Sequence, residues 1–238
     1  MALASKQFGE SLAIKAYLPN GYDASRSYPV VYVLGGNAAI KEGRMIEALD
    51  NLLGRSVEPL IAVFVPDPGE RPGGRFNSRK SYLELSGEGK DKTRLMLVEE
   101  LLPLVESRYR IDGNAGKRAV MGLEDGAYAS LYATLKHPEF FTGLGMLSIN
   151  WEPGYRPQNT ALFKSPSEQP LRIYLEWGKY DARSPREGWD AVEAGRAFST
   201  TLRSKGYAFA GGETNEGAGW FARRNRLNKL LATLFPMK

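Results

Sequence analysis

The 238-residue chain contains no cysteine, a single histidine, and no apolar run near the roughly 20 residues that a membrane-spanning helix requires. Without cysteine there is no disulfide framework, no thiol nucleophile and no thiolate metal site. One imidazole, His137, argues against a transition-metal centre, because such centres recruit several imidazoles or thiolates. No metal and no cofactor is expected. The opening residues, Met1 to Phe8, lack the apolar core of a signal peptide. The protein is expected to be soluble, either cytoplasmic or exported with its leader already removed. The net charge of +5 is mild, and basic residues concentrate only at Arg71 to Lys80 and at Arg223 to Arg226 with Lys229. Nucleic-acid binding would call for a basic stripe with interleaved aromatics or a recognised motif, and neither is present, so these clusters are read as solvated faces, with an anion-binding surface as the alternative.

What is present is an ordinary globular composition, 42% hydrophobic and 25% charged, which suits one α/β domain over residues 1–238. Continuous apolar runs at Tyr28 to Leu34 and Leu60 to Val65 read as strands buried on both faces. Further strands are expected at Ser11 to Leu18, Ala119 to Met121, Gly143 to Ser148, Leu171 to Glu176 and Tyr207 to Gly211. Helical spacing marks Gly43 to Leu53, Thr93 to Arg110 with a kink at Pro103, Trp189 to Lys205 and Trp220 to Phe235. Alternation of this kind predicts a three-layer α/β/α sandwich around a mainly parallel sheet. The Gly/Pro-rich stretches Pro66 to Ser78 and Ile149 to Pro170 read as loops at the carboxyl ends of the strands, where ligands bind in such sheets.

One segment carries the chemistry. Gly122-Leu123-Glu124-Asp125-Gly126 lies between a strand and a helix, the context of a G-x-Ser-x-G nucleophile elbow, but a carboxylate stands where the hydroxyl belongs. Gly122 and Gly126 are the residues most constrained by such a turn.

Several motifs in order resemble the esterase D and enterochelin esterase group of α/β-hydrolases, which includes feruloyl esterases and mycolyltransferases. Tyr17-Leu-Pro19 with Gly21-Tyr22 is similar to the group's "Y-L-P-x-G-Y", and Tyr28 to Gly36 to the strand before its oxyanion loop. Glu99 to Glu106 followed by Tyr109 is similar to "E-E-L-I-P-x-I-E-x-x-Y", and His137 to Phe141 to "H-P-E-x-F". The resemblance implies an α/β-hydrolase fold, with Glu124 at the nucleophile position and Asp181 at the triad-acid position. Ala218, within Gly217-Ala218-Gly219-Trp220, falls where the histidine of "G-H-x-W" is expected. It also implies an oxyanion loop through Gly36, Asn37 and Ala38, with the Asp125 N–H as second donor.

Acyl transfer on this scaffold needs a hydroxyl, an imidazole that deprotonates it, and an acid that orients the ring. Two of the three are missing. His137 lies 13 positions after Glu124, roughly 20 Å along a helix, and is read as a capping or packing residue. The expectation is a catalytically inactive esterase-like protein that binds a ligand or acts as an interaction domain. A carboxylic-ester hydrolase working through a Glu124/Asp181 carboxylate pair is the alternative. Glu124 itself is expected to fill the oxyanion pocket and to accept from the Asp125 N–H. Exchanging Glu124 for serine together with Ala218 for histidine should restore weak esterase activity through Asp181. Trp151, Tyr155, Trp177, Tyr180 and Trp189 either line an aryl- or sugar-binding cleft or pack loops onto the sheet. Asp67 and Glu70 read as turn residues, and Arg75 and Arg79 as solvated loop charges or contacts for an anion. The expected partners are a small-molecule, aryl or carbohydrate ligand, a neighbouring domain of a longer protein, or a second copy of the chain.

Overall fold

A computed structural model describes residues 1–68, 89–153, 156–186 and 188–237. Glu70, Arg75, Arg79, Tyr155 and the basic cluster Arg71 to Lys80 lie outside the described residues.

The strands are β1 (Ala2–Ser5), β2 (Glu10–Ala13), β3 (Lys15–Tyr17), β4 (Val30–Leu34), β5 (Ile61–Val65), β6 (Arg118–Leu123), β7 (Gly143–Leu147), β8 (Arg172–Tyr180), β9 (Arg183–Ser184), β10 (Trp189–Asp190) and β11 (Ala210–Gly217). The helices are α1 (Gly36–Lys41), α2 (Met45–Leu52), α3 (Lys90–Leu95), α4 (Leu102–Glu106), α5 (Asp125–Lys136), α6 (Arg156–Thr160), α7 (Ala191–Ser204), α8 (Gly219–Arg223) and α9 (Leu227–Leu234). The main sheet runs β11-β8-β7-β6-β4-β5-β3, parallel throughout except for the antiparallel edge strand β3.

Alternate residues of the central strands enter opposite layers, as the period-2 geometry of a strand requires. Val31, Val33, Ala119 and Met121 pack with Met45, Leu49, Leu230 and Leu234, which belong to α2 and α9. Val30, Tyr32, Leu34 and Val120 pack with Leu101, Val105, Ala127, Leu131 and Phe198 on the other side. This is a three-layer α/β/α sandwich. From β4 the chain moves one way to β5 and then returns to build β6, β7, β8 and β11 on the other side. The strand order therefore reverses between β4 and β6, and in sheets of this kind ligands bind outside the carboxyl ends of the strands at such a point.

Several boundaries differ from the sequence expectation. Ser11 to Leu18 is two strands: β2 pairs with β1 in a separate hairpin, and β3 joins the sheet edge. Pro103 falls in the first turn of α4, directly after a π-helical turn at Met96–Leu101. The wider turn sits where a proline lacking its N–H would otherwise interrupt an α-helix. Glu100, within that turn, accepts from Ser5 Oγ at 2.6 Å, Lys6 N at 2.9 Å and Gln7 N at 3.1 Å, and so holds the β1–β2 hairpin. The last helix is broken: α8, a 3₁₀ turn at Arg224–Arg226, then α9. β11 begins later and runs longer than Tyr207 to Gly211. Among the described residues no helix is long and apolar enough to cross a membrane.

Candidate functional site

Because β4, β6, β7 and β8 are parallel neighbours, the residues after each gather at one edge: Gly35, Glu124, Ser148 and Asp181. Glu124 has φ 53 and ψ −113, outside the left-handed helical well, at the junction of β6 and α5. Strain of this kind costs about 1–3 kcal/mol and persists where the surroundings fix the turn. They do so here. Glu124 N donates to Leu147 O at 2.9 Å, and Glu124 O accepts from Tyr128 N at 3.1 Å and Asn150 N at 3.3 Å. A Cβ on Gly122 would stand 2.4 Å from the Gly126 carbonyl carbon, so only glycine lets the strand meet the helix this closely.

The Glu124 carboxylate makes no capping hydrogen bond to the first amides of α5. The expected occupation of the oxyanion pocket, with a bond to the Asp125 N–H, is therefore not what the structure holds. Glu124 keeps an exposed surface instead, and Asp125 accepts from Asn150 Nδ2 at 2.7 Å. Crowding by protein raises the Glu124 pKa above its ordinary value. The negative charges of Asp125 and Asp181 add to the rise, and Arg223 opposes it. Water at the exposed face screens these charges.

The sign of that shift gives a test. A raised folded-state pKa means that native protein holds the proton more tightly than unfolded chain. The associated stability is present below the unfolded carboxylate pKa of about 4.3 and lost as pH rises through the folded value. Glu124→Gln should therefore gain stability relative to the parent between pH 4 and pH 7. Urea midpoints of both proteins across that range check it, and a difference that stays flat or falls with pH contradicts the shift.

Asp181, expected from the resemblance as a triad acid, follows β8 and is enclosed by hydrogen-bond donors. Asp181 Oδ2 accepts from Ser148 Oγ and Gly178 N, both at 2.7 Å. Its Oδ1 accepts from Arg223 Nη2 at 2.7 Å, and the same Nη2 donates to Ser148 Oγ at 2.6 Å. The Arg223 and Asp181 side chains are 1% and 0% exposed. Ser148 adopts φ 48, left-handed backbone that is held by its bond to Asp181 and by Ser148 N donating to Glu176 O at 2.7 Å. The ion pair continues to a second buried carboxylate: Glu176 lies 3.6 Å from Arg223 Nη1, and accepts from Arg226 Nε at 2.9 Å and Tyr174 OH at 2.6 Å. Arg223 and Arg226, expected within a solvated basic cluster, are instead partners of buried carboxylates. What could have flagged them is the orphaned acid at 181, since a buried carboxylate without an imidazole needs another cation.

Ala218 is exposed and caps α8 in an extended conformation, carrying no proton acceptor on its side chain. The segment expected as an oxyanion loop is the first turn of α1: Gly35 turns at φ 73, and Gly36 presses so closely on β5 that a Cβ would stand 2.6 Å from Phe64 Cβ. Asn37 accepts from Lys15 Nζ at 2.6 Å, toward the sheet edge. Trp151 is 1% exposed with its ring 4.7 Å from Phe198, and Trp177 is buried under Gly195 while its Nε1 donates to Glu213 at 3.0 Å. These two tryptophans pack loops and helix onto the sheet and present no face to a ligand. Tyr180 and Trp189 are exposed. His137 bonds to Arg94 through Nε2 and to Glu139 through Nδ1, each at 2.8 Å, at the far end of α5.

A family model described as "Putative esterase" matches residues 5–219. The chain belongs to this esterase family. It is 26% identical over 246 residues to an endo-1,4-beta-xylanase/feruloyl esterase of Xylanibacter ruminicola, covering 97% of this chain and 30% of that protein. It spans 58% and 54% of two Bacillus subtilis relatives, so the chain covers less than two thirds of each of these three proteins. Among solved structures, a ferulic acid esterase superposes with a TM-score of 0.75 at 18% identity, covering 99% of this chain and 96% of that one. The enterochelin esterase of Shigella flexneri gives 0.76 at 21% identity, covering 98% and 57%. These two likenesses concern the fold. In this chain Glu124 and Asp181, the residues at the expected nucleophile and acid positions, lie close enough for their charges to interact, and the residues at 124 and 218 carry neither hydroxyl nor imidazole.

Proposed function

We propose that this chain is a non-catalytic member of the esterase family, a pseudoenzyme that uses the crevice or the surface around it for binding. The reading rests on one observation above the rest: Asp181, the residue expected to orient a base, is held by Arg223 instead. Its other support is compositional, since the chain's one imidazole is committed to Arg94 and Glu139. An acyl group placed on the Glu124 carboxylate would form an anhydride with no imidazole to activate water against it, since the single histidine of the chain is bonded to Arg94 and Glu139. The alternative Glu124/Asp181 hydrolase draws support from the raised Glu124 pKa. It is weakened by Asp181, whose two oxygens already accept three hydrogen bonds.

Purified protein should release p-nitrophenolate from p-nitrophenyl acetate no faster than buffer. A saturable rate abolished by Glu124→Gln would replace this reading with the hydrolase. Feruloyl esters and enterobactin-type siderophores, after which the matched proteins are named, are the first ligands to test by thermal shift, followed by oligosaccharides.

A further inference from the structure

The orphaned acid points to a residue that neither the motif nor the family position singles out. We propose that Arg223 is the positioning residue that keeps this site without a base. It has taken the imidazole's place as the charged partner of Asp181, so a histidine restored at 218 stays unoriented while Arg223 is present. The inference rests on the non-catalytic reading above.

Geometry supports it. Ala218 is the N-cap of α8 and Arg223 its last residue, so the short helix that would present an imidazole also delivers the guanidinium. Of the two Asp181 oxygens, Oδ2 is taken by Ser148 Oγ and Gly178 N, and Oδ1 by Arg223 Nη2. An orienting acid must accept from the ring Nδ1–H and offset the positive charge that forms when the ring takes a proton. A fixed cation 2.7 Å from the carboxylate competes for the first task. It opposes the second, since a neighbouring positive charge disfavours imidazolium. Arg223 is 1% exposed and held also by Ser148 Oγ and Glu176, so it does not step aside into solvent.

The consequence is a different route to reactivation from the one the sequence suggests. The E124S/A218H double variant should remain inactive, and E124S/A218H/R223M should acylate. In that step the introduced hydroxyl oxygen bonds the acetyl carbon of p-nitrophenyl acetate and its proton passes to the introduced imidazole. The ester C–O bond breaks and p-nitrophenolate leaves. The triple variant should show a burst of about one equivalent, at least ~100-fold faster than the double, the scale of a positioned general base. A second readout does not depend on turnover: a low-field Nδ1–H proton resonance, beyond that of His137 in the parent protein, should appear in the triple and not in the double.

A burst or a new low-field resonance in the double variant, which retains Arg223, overturns the proposal by itself. So does a folded triple variant that lacks the resonance. If Arg223→Met prevents folding in this background, adding Glu176→Gln removes one of the two buried carboxylates, and the same readouts apply. Esterase activity in the unsubstituted protein would refute the non-catalytic reading separately.

Discussion

Replacing Arg223 with methionine should cost the native state about 3–5 kcal/mol and lower its thermal midpoint by roughly 10 °C. The guanidinium stands between Asp181 and Glu176, whose side chains are 0% and 1% exposed. Methionine fills most of the volume, so the loss is electrostatic: Asp181 keeps Ser148 Oγ and Gly178 N but no cation. Glu176 fares better, because Arg226 and Tyr174 still donate to it. Breaking a buried pair leaves an uncompensated charge, whereas exposed pairs are screened. The exposed Arg44–Glu47 pair is the control, and Arg44→Met should leave the midpoint unchanged within error. Equal effects from the two arginines would mean that the buried network carries no special weight.

Gly122→Ala should be similarly damaging, at about 3 kcal/mol, while Gly126→Ala should cost much less. The added methyl at 122 would stand 2.4 Å from the Gly126 carbonyl carbon and 2.6 Å from its oxygen. Those are backbone atoms at the junction of β6 and α5, so relief requires separating the strand from its helix. At Gly126 the nearest atom is Leu34 Cβ at 3.4 Å, a side-chain contact that shifts by a few tenths of an ångström. Denaturant midpoints measure the contrast. Near-equal losses would mean that the elbow does not depend on close approach at 122, and that the positive φ at Glu124 has another cause.

The layers and the elbow were legible because they depend on strong local signals. Tyr28 to Leu34 and Leu60 to Val65 are apolar without interruption, so their burial on both faces follows from composition. Glycine at both 122 and 126 around a non-glycine turn has few structural meanings. What was not legible depends on partners distant in sequence. β11 reads Ala-Gly-Gly-Glu-Thr-Asn-Glu-Gly, a poor strand by propensity, and it extends because β8 offers it a parallel edge. The Gly36 segment looked like a loop, but close packing on Phe64 winds it into α1. Trp151 and Trp177 looked suited to a cleft, and only the placement of α7, with Phe198 and Gly195, shows why they are core.

The site divides in the same way. Glu124 and Ala218 were visible as departures from a motif, because each stands where the resemblance expects a residue with a known task, and Asp181 was visible as the acid that the motif keeps. Arg223 was invisible because its role arises from the departure itself. A carboxylate left under the sheet edge without an imidazole must be neutralised or hydrogen-bonded. The residue that answers lies 42 positions away in sequence, within a basic run that resembled solvated surface.

The central claim is that Asp181 now serves the fold rather than a reaction, and a double-mutant cycle on its partner tests this most directly. Stabilities of the parent, Arg223→Met, Asp181→Asn and the combined variant would be measured by urea unfolding at neutral pH. The account predicts that the two losses are far from additive, with a coupling energy of about 2–3 kcal/mol between the two side chains. A coupling below about 0.5 kcal/mol, within the range found for independent sites, would contradict it.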